Sequence, residues 1–122
     1  MILRLFLFSF TIIINISFPQ DQLSVTFRYV ETPEDNFVRV FVPGEMNNWG
    51  PNSSGFISPS AVSLMALDPA TDSFVKNYSL NIGQQYLYKI HFHYNNSGTN
   101  YSWISDPLNA LTTNDEWENS IL

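Results

Sequence analysis

The chain has 122 residues, no cysteine, 16% aromatic residues and a formal net charge of −6 at pH 7. This acidic balance argues against binding to nucleic acid or to anionic membranes, because both carry negative charge themselves. Without cysteine there is no disulfide framework, so the core has to be held together by packing.

Residues 1–20 have the pattern of a secretory signal peptide. Arg4 provides a positive charge, the stretch from Leu5 to Ile16 is mostly apolar, and Pro19 follows it. The apolar run is too short for a comfortable membrane span, although an uncleaved anchor is the alternative. We therefore predict a secreted or periplasmic protein that has no membrane contact after signal removal. Its single domain, residues 21–122, has four Lys and Arg residues against eleven Asp and Glu residues, a net charge of −7.

Apolar and polar residues alternate with period two along much of this domain, which predicts half-buried β-strands. The alternating runs are residues 23–29, 36–42, 74–82 and 86–94. In the second run the two faces are expected to carry Val38, Val40 and Val42 on one side, and Phe37, Arg39 and Phe41 on the other. In the fourth run the two faces are Tyr88, Ile90, Phe92 and Tyr94, and Lys89, His91 and His93.

Turn-forming segments rich in Gly, Pro, Asn and Asp separate the runs, and no stretch of ten residues has helical periodicity with caps. A domain of about one hundred residues with this punctuation is typical of an all-β antiparallel sandwich. The final residues, "ENSIL", look like the start of another strand. We therefore expect the chain to be a fragment that continues beyond Leu122.

Three motifs then occur in a fixed order: "MNNW" at 46–49, "GQQYLYK" at 83–89 and "WISDP" at 103–107. Together they resemble the glycogen-binding modules of carbohydrate-binding module family 48, over about residues 37–122. The resemblance implies an immunoglobulin-like, early-set β-sandwich that binds an α-glucan such as glycogen or starch. Modules of this family stand on the amino-terminal side of family 13 glycoside hydrolases and in the beta subunit of AMP-activated protein kinase. The chain is accordingly expected to be the amino-terminal part of a secreted amylolytic enzyme, with a catalytic domain downstream.

The resemblance also implies a glycan-binding site of two stacking tryptophans and two hydroxyl-binding side chains: Trp49, Trp103, Lys89 and Asn119. The chain departs from the family pattern at Met46, which replaces an aromatic residue, and at His93-Tyr94, where the family often has Asp-Gly. The hairpin at 94–103 is also longer than usual. Trp117 matches no family contact and is assigned to packing or to a neighbouring domain.

The residue types fit this chemistry independently of the resemblance. Pyranose rings offer C–H faces that pack on flat aromatic rings, while their hydroxyl groups need donors and acceptors. Each position has a structural alternative: Trp49 as a lid on the core, Trp103 packed under its hairpin, Lys89 as a solvated charge and Asn119 as a turn residue. Asp106-Pro107 is interpreted as a structural turn.

The sequence contains no catalytic constellation and no complete metal site. Its acidic residues fall in turns, whereas glycoside cleavage needs two carboxyl groups held across a cleft. His91 and His93 have the spacing of a two-histidine metal site, but a third ligand is missing, and we expect two histidines on a polar strand face. The chain alone is thus predicted to be no enzyme and to need no cofactor.

Two other functions remain open at this point. The domain could be a structural early-set module that packs on a catalytic neighbour without binding sugar itself. It could also be a cell-surface domain that recognises protein, which would require a broad apolar patch in place of a narrow aromatic groove.

Overall fold

The structure, a computed structural model, describes residues 21–122; the predicted signal peptide at 1–20 lies outside them. Within that range the protein is all-β, with ten short strands and one turn of 3-10 helix at Glu45–Asn47. The strands are β1 (Gln22–Tyr29), β2 (Arg39–Phe41), β3 (Asn52–Ser53), β4 (Phe56–Ile57), β5 (Ala66–Asp68), β6 (Ser73–Asn81), β7 (Leu87–Tyr88), β8 (Ile90–His93), β9 (Tyr101–Ile104) and β10 (Ser120–Ile121). None of the helical structure in this range is long and apolar enough to cross a bilayer.

All strand pairs are antiparallel, and two three-stranded sheets dominate the fold. Their strand orders are β1-β6-β5 and β2-β8-β9, and two small pairs, β7-β10 and β3-β4, complete the structure. The core lies between the large sheets and consists of Val40, Val42, Met65, Tyr88, Ile90 and Phe92, with Phe27, Tyr29, Phe74 and Tyr78 packed against it. This arrangement is consistent with a β-sandwich.

Aromatic rings make much of the contact between β1 and the strands that lie opposite it. Phe27 of β1 meets Tyr88 with ring centroids 5.1 Å apart, and Tyr29 meets Phe92 at 5.2 Å, both edge to face. Such pairs contribute about 0.5–1.5 kcal/mol each beyond the area that they bury. Eight aromatic residues in all belong to this core or pack against it.

The four predicted strands are confirmed as β1, β2, β6 and, for residues 86–94, β7 followed by β8. In the second run Val38 was expected to share a side with Val40 and Val42, but it is 46% exposed whereas they are buried. Phe37 packs on the core in its place, 5.7 Å from the Tyr29 ring and 5.0 Å from the Phe92 ring. Phe37 rather than Val38 is buried here because the larger side chain removes more apolar area from water.

The expectation that His91 and His93 lie on a polar strand face is wrong, because both are fully buried. The outward face of β8 is covered by a second aromatic layer. Phe41 lies 4.6 Å from the His93 ring, Phe56 of β4 stacks on His93 at 6.4 Å, and Trp103 meets His91 edge to face at 4.6 Å. The β3-β4 hairpin thus forms part of a lid over the two histidines.

Candidate functional site

The four residues predicted to bind glycan line a single groove of about 620 Å³. We call it the tryptophan groove, and its lining residues are Trp49, Asn52, Gly55, Lys89, Trp103, Glu116, Trp117 and Asn119. Its volume lies within the range of about 300–1,000 Å³ that is usual for small-ligand sites. The groove gathers all three tryptophans of the chain from three separate segments.

Strand register explains why these residues meet. Trp103 of β9 pairs directly with His91 of β8, so their side chains share the outward face of the sheet. Lys89 lies two residues before His91 and therefore has the same orientation. Ser120 pairs with Tyr88, so the register of β10 carries Asn119 next to Lys89.

The turn that carries Trp49 is fixed by the carboxamide of Asn47. The Asn47 oxygen accepts hydrogen bonds from the backbone N–H groups of Gly44 (3.0 Å) and Gly50 (2.9 Å). Its NH₂ group donates to a backbone carbonyl at 2.8 Å and to the Tyr78 hydroxyl at 2.7 Å. Trp49 itself has φ 57°, an uncommon conformation for a bulky residue, which persists because the turn around it is so fully hydrogen-bonded.

Sequence reasoning missed the role of Asn47. The motif "MNNW" pointed to the turn, and Asn is a frequent turn residue because its side chain bonds nearby backbone groups. The sequence does not indicate which of the two side chains, Asn47 or Asn48, forms these hydrogen bonds. The distant partner, Tyr78 on β6, leaves no signal in the local sequence at all.

The Trp103 ring is held from two sides. Its indole N–H donates to the carbonyl of Gly55 at 2.9 Å, and its edge contacts the His91 ring. Gly55 has φ 89°, which favours glycine, and a Cβ there would lie 3.3 Å from the Tyr101 hydroxyl. Trp103 is therefore a half-buried, fixed surface, neither fully free in water nor buried beneath its hairpin as the alternative had it.

The third tryptophan lies on a loop that is closed by Asp115. One Asp115 oxygen accepts hydrogen bonds from the Thr113 hydroxyl (2.8 Å) and from the backbone N–H groups of Trp117 (3.0 Å) and Glu118 (3.1 Å). The bond from Thr113, with smaller contributions that include the nearby charge of Lys89, holds the pKa of Asp115 below its usual range. Trp117 was assigned to packing or to a neighbouring domain. Internal packing is wrong, because its side chain is 63% exposed, and a contact with a neighbouring domain stays a prediction.

Lys89 and Asn119 offer polar groups that the protein does not use. The backbone of Asn119 exchanges hydrogen bonds with Thr113 at 2.9 and 2.8 Å. No residue of the described range 21–122 hydrogen-bonds its carboxamide or the ammonium group of Lys89. Both side chains are half-buried, so they are positioned yet still able to bind a ligand.

Other predictions concern residues outside the groove. Asp106 accepts hydrogen bonds from the Tyr88 hydroxyl (2.8 Å) and from the backbone N–H of Leu108 (2.9 Å), as expected of a structural turn residue. Burial raises the pKa of Tyr88 to about 12. Across the described range, no three His, Cys, Asp or Glu side chains are grouped so that they could hold a metal ion.

No protein-family model, curated protein or solved structure gives a significant match to this chain. The residues of the tryptophan groove and their geometry are therefore the basis on which a function can be assigned.

Proposed function

We propose that the protein is a non-catalytic α-glucan-binding module, which binds chains of glycogen or starch in the tryptophan groove. In this proposal the domain is an immunoglobulin-like early-set sandwich at the amino-terminal side of a secreted or periplasmic family 13 amylolytic enzyme. One observation carries the proposal. The four side chains assigned to sugar contact, which are up to 70 positions apart in the chain, all line the same groove.

The groove has the mixed chemistry that a sugar requires. Indole faces can pack against the C–H faces of pyranose rings, and burying one such face contributes about 2 kcal/mol. Lys89 donates hydrogen bonds, and the carboxamide of Asn119 both donates and accepts them. Sugar hydroxyl groups form both kinds of bond, so each ring can satisfy both side chains.

The charge around the groove favours a neutral ligand. Among residues 21–122, Lys89 is the one cationic side chain that lines the groove, and Glu116 is anionic. Asp115 lies close enough to Lys89 for the positive charge to help lower its pKa. The domain as a whole is strongly acidic. Polysaccharides with uronic acid or sulfate groups would be repelled, whereas an α-glucan carries no charge.

The side chains of the tryptophan groove are held in place before a ligand binds, which favours binding. The hydrogen bonds of Asn47 fix the turn of Trp49, and Gly55 fixes the ring of Trp103, so little side-chain freedom is lost when the ligand binds. After the cost of association, two platforms and a few hydrogen bonds leave a dissociation constant of roughly tens of micromolar to millimolar. Weak binding suffices for a module that holds a tethered enzyme on a polymer.

Affinity electrophoresis in gels that contain glycogen or soluble starch tests the proposal. We expect the wild-type protein to be retarded and Trp49→Ala to migrate as in a gel without polysaccharide. Leu67→Ala is the control, because Leu67 is 55% exposed on β5 of the other large sheet. A folded wild-type protein that is not retarded by either glucan would overturn the proposal.

A second function, packing on a catalytic neighbour without sugar binding, is favoured by the apolar surface of the C-terminal segment. Leu108 is 93% exposed, Leu111 66% and Leu122 44%. Side chains of this kind are usually covered by a partner when they lie close together. The two functions differ in the gel, because a module that only packs is not retarded and Trp49→Ala changes nothing.

A further inference from the structure

Trp117 is the one tryptophan of the groove without a role in the function proposed above. We propose that Trp117 is a third sugar platform, which extends the tryptophan groove so that it prefers longer α-glucan chains to short ones. The inference rests on the proposed function, because it concerns the same ligand in the same groove.

The first argument is the exposure of the ring. At 63% exposure, Trp117 leaves most of a large apolar surface in water, although the two other tryptophans are half-buried. An indole this exposed gains little from the fold itself. It has the most to gain from a ligand, since covering one face of the ring contributes about as much as at Trp49 or Trp103.

The second argument is that the backbone under Trp117 is fixed. The loop begins and ends in an antiparallel bridge between Thr112 and Ser120, and the hydrogen bond from the Asn119 N–H to Thr113 closes its base. Asp115 then accepts the N–H of Trp117 directly. A loop with these bonds holds its tryptophan over the groove before the ligand arrives, so binding does not have to order it.

The third argument is the set of polar groups beside the ring. The indole N–H of Trp103 is already bonded to the carbonyl of Gly55, whereas the indole N–H groups of Trp49 and Trp117 have no acceptor within residues 21–122. Glu116, next to Trp117, lines the same groove and offers carboxylate oxygens. Trp117 and Glu116 can therefore donate and accept hydrogen bonds with the hydroxyl groups of one sugar unit.

These groups lie on a third segment of the chain, separate from the turn of Trp49 and from β9. A groove of about 620 Å³ whose three tryptophans lie on three segments has room for more than one sugar ring. Platforms on separate segments contact different rings of a chain, so removing one should weaken long ligands more than short ones.

An NMR titration with maltoheptaose tests the contact directly. The chain has three tryptophans, which give three indole N–H signals, and each is assigned from its Trp→Phe variant. We expect all three signals to shift with the same apparent dissociation constant. Shifts at Trp49 and Trp103 with an unchanged Trp117 signal would overturn the inference and leave the proposed function standing. If no signal moves, the proposed function fails and the inference fails with it.

Affinities of variants test the chain-length preference. We expect Trp117→Ala to weaken maltoheptaose binding roughly 10- to 30-fold, the loss that follows from one uncovered indole face, and to weaken maltotriose binding less. Trp117→Phe should retain most of the affinity. The thermal midpoint of Trp117→Ala should equal that of the wild type, because the side chain is exposed. An unchanged ratio of the two affinities, or an equal loss accompanied by a lower midpoint, would contradict a platform role.

Discussion

Mild acid should destabilise this protein through its two buried histidines. His91 and His93 are fully buried, and none of their ring nitrogens has a hydrogen-bond partner among residues 21–122. Burial lowers the pKa of His91 to about 3, with a smaller effect from the charge of His93. Burial also lowers the pKa of His93, and the charge of Arg39 lowers it further. The nearby backbone of Ile57 has a smaller, raising effect, although it does not form a hydrogen bond with the ring.

The sign and size of the effect follow from linkage. In the unfolded chain each histidine takes up its proton near pH 6.5, whereas in the folded protein burial lowers both pKa values, that of His91 to about 3. Between pH 6.5 and the folded pKa the unfolded state binds more protons, so the free energy of unfolding falls as the pH falls. The slope is about 1.4 kcal/mol per pH unit for each histidine. At pH 5.5 His91 alone should cost about 1.4 kcal/mol, and His93, whose pKa is lowered in the same direction, should add to this loss. Small domains typically have a free energy of unfolding of about 5–15 kcal/mol, so the change is measurable.

Urea unfolding at pH 7.5, 6.5 and 5.5, followed by tryptophan fluorescence, measures this loss. The chain has no other histidine, so the double variant His91→Phe/His93→Phe should show little change of unfolding free energy over the same pH range. A wild-type stability that is constant down to pH 5.5 would refute the reasoning. So would an NMR titration of the imidazole C–H signals that gave His91 a pKa near 6.5 in the folded protein.

Three further tests concern the groove and the histidine layer beside it. Asn47→Ala removes four hydrogen bonds, so urea unfolding should give a free energy of unfolding that is lower by about 2–4 kcal/mol. Retardation of this variant in glycogen gels should also be weaker. A loss of stability below about 1 kcal/mol would mean that the turn does not depend on this side chain. Gly98→Ala should lower the thermal midpoint more than Gly83→Ala. Both glycines have positive φ, but a Cβ at Gly98 would lie 2.6 Å from the His93 ring and one at Gly83 meets nothing, so equal midpoints would argue against a tightly packed histidine layer. Lys89→Met should reduce retardation by starch at unchanged stability, and unchanged retardation would remove Lys89 from the site.

The sequence predicted the strands well where period-two alternation was long. Residues 86–94 alternate over nine positions, and the core side of β7 and β8 followed from them. The same pattern could not identify what covers the other side of β8. That cover comes from Phe41 and Phe56, and Phe56 lies in a hairpin with only two residues in each strand, too short for any periodic signal.

In the candidate site, too, local motifs were predictable from the sequence and contacts between distant segments were not. Trp49, Lys89, Trp103 and Asn119 were selected by motif, and strand register then accounts for their common location. Trp117 was set aside because no motif included it. Its position depends on the bonds of Asp115 to its own loop and on the pairing of β10 with β7, and pairing between distant segments is not visible in local sequence.

The bond between Asn47 and Tyr78 ties the turn of Trp49, beside β2, to β6 of the opposite sheet. Tyr78 in turn meets Phe27 of β1 edge to face at 6.0 Å. A shift of β6 relative to the other layer would therefore act on the turn of Trp49 through this hydrogen bond. Substitutions on the far layer, out of reach of any ligand, can in this way change how well the protein holds one.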